Sequence, residues 1–255
     1  MISLLGVLCR EAGNAVSGPR HLLRKLEPIE NLKGVPFVRA WIDCYRCHFR
    51  LWLHGVEHGD ISLSNLMYDP DIQRGMLNNF NLAVIHEGPG ECTPAGKMRM
   101  GMVSFMVLDL LTPGYYGGKI ARLYRHDLKS FVLPFALLRS YSTDQDAQLD
   151  AWCTSNYDRC CQEKSDFLIT HLYKAGALHA CEAIWRGIGL AAFSWLYYSK
   201  LTMHEKENTE LWYGPSEDSA HKMLKMFEKK LAASLCTHPV AGLRFELLSD
   251  AQLRL

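Results

Sequence analysis

Long hydrophobic runs are missing from this 255-residue sequence. The longest uncharged apolar stretch, GIGLAAFSWLYYS from Gly187 to Ser199, falls short of the roughly 18–20 residues a membrane span needs. The apolar start MISLLGVLC has no basic residues ahead of it, so it does not read as a secretory signal. The nine cysteines are an odd number scattered without framework spacing, which argues against a disulfide scaffold and for reduced thiols. An excess of charge of one sign is also missing. Twenty-eight Lys and Arg stand against 27 Asp and Glu, and a net charge of +1 leaves no broad electrostatic footprint for nucleic acid. There is no internal repeat and no heptad pattern, which removes solenoids and coiled coils. These absences predict a soluble, intracellular protein with neither a membrane span nor a nucleic-acid partner.

Hydrophobic residues make up 48% of the chain and charged residues 22%, enough apolar material for a sizeable core. The first 35 residues are punctuated by Gly and Pro and read as a leader. From Pro36 to Leu53 the steps Phe37, Trp41, Cys44, His48 and Leu51 put one apolar face on a helix, with Pro36 in its first turn and Gly55 as its stop. Residues 56–67 read as a loop, and RGMLNNFNLAVI as a hairpin or short strand pair around Gly75. Residues 86–118 are rich in Gly, Pro and Thr and read as a long mobile segment. RHDLKSFVLPFALLRS predicts a buried helix disturbed by Pro134, and three more helices follow over 156–175, 178–201 and 217–235. The fold class expected is mainly α with a small β element.

Chemistry concentrates between residues 58 and 80. His58, Asp60 and Asn65 form H-x-D-x-x-x-x-N, and Asn79-Phe80 follows. Phosphoryl transfer needs a carboxylate to take the acceptor hydroxyl's proton, and an amide oxygen with a second carboxylate to hold Mg²⁺ against nucleotide phosphates. Asp60 suits the base, Asn65 one metal ligand, and Asn79 stands where the second carboxylate belongs.

The surrounding sequence resembles the fungal-type protein kinase family. VEHGDISLSNLMYD is similar to its HRDIS-x-x-NIM, GMLNNFNLA to G-x-LIDFDLA, RMGMVSFMVLDLL to RTGT-x-x-FMA-x-ELL, and YRHDLKSF to HDLESF. AWCTSNYDRCCQEKSDFL is similar to the family's W…A…K-x-x-FL segment, and all these matches run in order over about residues 36–170. The resemblance implies a protein-kinase-like lower lobe, the C-lobe, using ATP and Mg²⁺. It makes Asp60 the catalytic base position, with Ser62 where many kinases have Lys. Asn65 and Asn79 become the cofactor- and metal-binding positions. Asp109 would close the activation segment against the lobe, Asp127 would brace the catalytic-loop backbone, and His58 and Phe80 would pack the loop.

Several features depart from that pattern. Asn79 replaces the metal-binding carboxylate. Gly59 replaces the Arg of HRD, removing a cation. Met100 and Met102 stand in place of hydroxyl residues. Only 57 residues precede His58, and they contain no G-x-G-x-x-G and no strand lysine, so an upper lobe (N-lobe) is not recognisable in them. The domain division expected is a leader over 1–35, a kinase-like lower lobe over 36–240 and a tail over 241–255. The function expected is that of a pseudokinase or truncated Ser/Thr kinase, inactive alone, with a weakened Mg²⁺ site. Two alternatives stand beside it. HGD also suits a small-molecule phosphotransferase of the aminoglycoside or choline kinase type, and the lost groups suit a non-catalytic scaffold that engages a protein partner through the lobe surface. The C-x-x-C-H pattern of Cys44, Cys47 and His48 resembles a haem attachment site, but it falls on the apolar face of the first helix and reads as core.

Overall fold

The computed structural model describes residues 25–86, 103–116, 122–134, 151–154, 156–173, 182–201 and 217–249. Helices dominate: α1 (Val35–Leu53), the short α2 (Pro113–Tyr116), α3 (Tyr124–Ser130), α4 (Tyr157–Tyr173), α5 (Glu182–Ile184), α6 (Leu190–Leu201) and α7 (Glu217–Thr237). A π-helical turn, Trp185–Gly189, joins α5 to α6. The β content is small. Strands β1 (Glu27–Pro28), β3 (Leu66–Asp69) and β4 (Arg74–Leu77) form a sheet in the order β1-β3-β4, and β2 (Val56–Glu57) pairs with β5 (Val84–Ile85). No described helix is long and apolar enough to cross a membrane.

The periodicity of α1 holds. Phe37, Trp41, Cys44, His48 and Leu51 are all buried. Pro36 lies in the first turn, where its missing N–H costs nothing. Past the C-terminal end Gly55 adopts φ +72°, and a Cβ there would lie 2.8 Å from the His86 carbonyl oxygen, so both conformation and space require glycine. The core is built on aromatic edges. The Trp41 and Tyr45 rings are 4.9 Å apart, Tyr45 and Phe227 5.6 Å, and Trp195 and Phe227 5.0 Å, tying α1, α6 and α7 together. The Trp41 indole donates to the Phe131 carbonyl at 2.6 Å, which satisfies its one polar atom in the core.

Four local expectations change. The hairpin does not turn at Gly75. The reversal lies at Pro70–Gln73, where the Asp69 carboxylate accepts the Asp71 and Ile72 amides at 3.0 and 3.4 Å. Gly75 sits inside β4 so that α1 can pack on it, and a Cβ there would be 1.9 Å from the Ala40 oxygen. The stretch 103–116, expected within a mobile segment, is packed instead, with Met106, Val107, Leu110 and Leu111 buried; the rest of 87–121 lies outside the described residues. The helix expected over RHDLKSFVLPFALLRS stops at Ser130, four residues before Pro134, and 135–140 are not described. Neither edge of the 36–240 unit marks a break in packing. β1 and the fully buried Ile29 join the sheet and core from the supposed leader, and Leu243, Phe245 and Leu248 of the tail pack against the core.

Candidate active site: a kinase-type loop with one carboxylate

β2 and the 3-10 turn Leu63–Asn65 hold the loop 58–62 between them. His58 is buried. Its Nε2–H donates to the Asn78 carbonyl at 2.9 Å, and its Nδ1 accepts the Asp60 amide at 3.3 Å, which fixes the tautomer. Burial, reinforced by nearby His48, pushes its pKa down to about 4, so the ring is neutral at pH 7. The Phe80 ring lies 4.7 Å from it. Gly59 has φ +82°, and a Cβ on it would be 2.4 Å from the Leu82 carbonyl oxygen. The turn Phe80–Leu82 therefore rests directly on the loop's backbone, and an arginine at position 59 would not fit this arrangement.

Asp60, Asn65 and Asn79 form a chain of contacts. The Asn65 Nδ2 donates to the Asp60 backbone oxygen at 2.9 Å and to its carboxylate at 2.8 Å. An ionised carboxylate only accepts, so the Asn65 nitrogen must face it and its oxygen must face Asn79. Asn79 then presents its own nitrogen, 3.3 Å from that oxygen. Asn79 has φ 59° and ψ 68°, a left-handed conformation that short polar side chains tolerate. Ser62 is buried and its hydroxyl bonds that of Ser64 at 3.1 Å, so it faces its neighbour in the loop.

Asp127 is fully buried beneath this loop and reaches it through an arginine that sequence reasoning missed. Arg122 donates Nε and Nη2 to Asp127 at 2.9 and 2.5 Å and Nη1 to the Gly59 carbonyl at 2.9 Å. His48 Nε2 meets the other Asp127 oxygen at 3.0 Å. Burial alone would raise the Asp127 pKa, but Arg122 and His48 hold it well below the usual carboxylate range. Arg122 also lies 3.6 Å from Glu57, which contacts His86 at 3.3 Å. Asp109 faces α3, with Lys129 Nζ 2.9 Å and His126 Nε2 3.7 Å away; burial opposes its ionisation, yet the cations beside it, Lys129 foremost, hold its pKa below the ordinary value. It belongs to the packing of 108–112 on α3.

Residues 28–136 match the family model described as fungal protein kinase. Over this segment the chain is similar to the fungal protein kinase family. No curated protein and no solved structure matches the chain.

In that family the implied ion is Mg²⁺, and the ligands available to it here would be the oxygens of Asn65 and Asn79. The donor set does not fit. Of Asp60, Asn65 and Asn79 only Asp60 is a carboxylate, and both amides turn nitrogen along the chain of contacts, whereas Mg²⁺ takes hard, preferably charged oxygens in octahedral geometry. Among the described residues no group of three or more His, Cys, Asp or Glu is placed to hold a metal. Cys44 and Cys47 form no disulfide among the described residues, and His48 is engaged by Asp127. Met100 and Met102 lie outside the described residues.

A second missed residue is Lys164 on α4. Its buried ammonium donates to the Val103 and Met106 carbonyls at 2.9 and 2.5 Å and sits 5.4 Å from the Trp152 ring. It pins the start of 103–116 to α4. The motif K-x-x-FL contained this lysine but no hint of its partners, which lie about 60 residues away in the chain.

Proposed function

We propose that this fungal protein kinase segment is a pseudokinase, a lower-lobe scaffold that keeps the catalytic loop's architecture without its metal-dependent chemistry. The observation that carries the reading is the contact chain Asp60–Asn65–Asn79. It keeps the base position and satisfies it internally, and the second carboxylate is an exposed amide. In an active kinase Asp60 would take the proton of a Ser or Thr hydroxyl as the ATP γ-phosphoryl is transferred. Without a charge-neutralising ion the developing negative charge has no partner, and each 1.36 kcal/mol lost is tenfold in rate. The lower lobe in this reading spans the expected 36–240 together with the strand and tail segments packed onto it.

The test is transfer of labelled γ-phosphate from Mg-ATP to a generic Ser/Thr protein by the full chain. The expected result is no transfer above that of Asp60→Ala, and no Mg-ATP-dependent shift in melting temperature. Asp60-dependent turnover overturns the reading. Asn79→Asp places a carboxylate beside the Asn65 oxygen. The expected outcome for that variant is a melting temperature that rises with millimolar Mg²⁺, by several degrees at saturation, while the natural chain does not respond.

A further inference from the structure

Helix α7 turns Ala220, Met223, Leu224, Phe227 and Leu231 into the core. Its opposite side faces solvent. Lys222, Met226, Lys229, Ala233 and Cys236 are all exposed, and their steps of 4, 3, 4 and 3 residues lay them in one straight stripe. At 1.5 Å per residue the stripe runs for about 21 Å. Lys225 is exposed beside it, and Met226, between the lysines, shows 43% of its surface.

The charge along this side is of one sign. Between Ser219 and Thr237 the helix holds one carboxylate, Glu228, and that group points inward. It is buried, and it accepts Arg46 Nε at 2.7 Å and the Tyr45 hydroxyl at 3.1 Å. Lys222 and Lys225 stand at i, i+3, and Lys225 and Lys229 at i, i+4. Like charges at these spacings repel and destabilise a helix. An exposed face gains from mixing Glu with Lys, and a row that breaks such a local rule is a mark of a functional surface. The exposed methionine supplies a soft apolar contact of the kind enriched in interfaces.

Charge decides what covers the stripe. A second copy laid on the same face would bring two lysine-bearing stripes together, so the face is not self-complementary. Amphipathic helices enter a lipid surface through their apolar side, and that side of α7 is already in the core. We propose that the outer face of α7 is the docking surface for an acidic amphipathic helix of a partner protein, with carboxylates against Lys222, Lys225 and Lys229 and an apolar side chain on Met226. The proposal is independent of whether the loop at Asp60 is catalytic.

The probe is a fluorescein-labelled, alanine-based helix of about 20 residues, with Glu along one face at steps of four and three and a leucine at its centre. It is titrated with the full chain by anisotropy. The expected result is saturable binding that weakens about tenfold or more as salt rises from about 0.05 to about 0.3 M. Lys222→Glu/Lys229→Glu is expected to weaken it by about tenfold or more, and Met226→Asn by less. The same peptide with Lys in place of Glu should not bind. Both lysines are exposed, so the urea midpoint of the double variant should be unchanged or higher as the repulsion is relieved. A lower midpoint would make the lysines part of the fold and overturns the proposal, as do failure of the acidic peptide to bind and undiminished binding by the double variant. Tighter binding to phosphatidylserine/phosphatidylcholine vesicles or to a single-stranded oligonucleotide than to the peptide would assign the row to a lipid or nucleic-acid surface and overturn it as well.

Discussion

Replacing Arg122 with methionine would keep most of its apolar stem and remove its charge from beneath the loop. Asp127 would then be left fully buried with His48 as its remaining contact, and the Gly59 carbonyl would lose its donor. Breaking a buried ion pair from one side costs about 3–5 kcal/mol, because an uncompensated charge stays behind. A domain of this kind has only about 5–15 kcal/mol in total, so the variant should be folded but marginal. Urea denaturation followed by tryptophan fluorescence measures this directly, since the six tryptophans include the buried Trp41, Trp185 and Trp195. The double variant Arg122→Met/Asp127→Leu removes both charges and should recover more than half of the loss. Acid supplies an independent check. Asp127's native pKa lies below the ordinary carboxylate value of 3.8, so its contribution is complete above that pH and is lost as pH falls through the native value. In Arg122→Met the buried carboxyl is better off protonated, so the penalty of the variant should shrink on acidification. If the double variant is as unstable as the sum of the two single ones, Arg122 and Asp127 are not coupled and the argument fails.

Gly59→Ala forces a Cβ to 2.4 Å from the Leu82 oxygen at φ +82°, and should destabilise the fold by about 2–4 kcal/mol, read as a lower urea midpoint with an unchanged slope. An unchanged midpoint would mean that the turn Phe80–Leu82 does not rest on the loop. Lys164 has a pKa lowered by burial from 10.5 to about 8, so between those values the unfolded chain holds the extra proton and stability should rise with pH. The rise attributable to Lys164 is at most on the order of 3 kcal/mol and should vanish from the stability-versus-pH curve of Lys164→Met. A curve of the same slope in both proteins would place the titration elsewhere. Trp41→Ala empties the ring contacts of α1 and the indole bond to Phe131, and should cost about 3–5 kcal/mol by the same denaturation assay.

The elements that could be read from the sequence are those whose signal is local. The α1 face repeats at helical spacing, and its capping residues stand where the chain must start and stop the helix. α4 and α7 lie within the segments 156–175 and 217–235 expected to be helical. The turn at Pro70–Gln73 was misread because Gly75 looks like a turn residue, whereas its glycine is demanded by an α1 carbonyl that lies 35 residues earlier in the chain. No local pattern contains that contact. The same holds for 103–116. Its polar, Gly-rich surroundings suggest mobility, and the side chain that fixes it, Lys164, arrives from α4.

Position 59 shows how far a site can be read from motif alone. Against the family's HRD, Gly59 looks like a cation lost. In three dimensions the glycine lets the Leu82 backbone close onto the loop, and a guanidinium still reaches the position from Arg122, onto Gly59's own carbonyl. That guanidinium is committed to Asp127 and lies beside Glu57, so it stabilises the loop from below and is not presented to an incoming phosphate. The charge at this place lies beneath the loop and not on the face of the site. Asn79 holds a left-handed backbone conformation that a short polar side chain tolerates, and its amide stands where the resemblance places a carboxylate. The loop's shape is held by residues scattered along the chain, and the site keeps Asp60 and Asn65 while an amide stands at position 79.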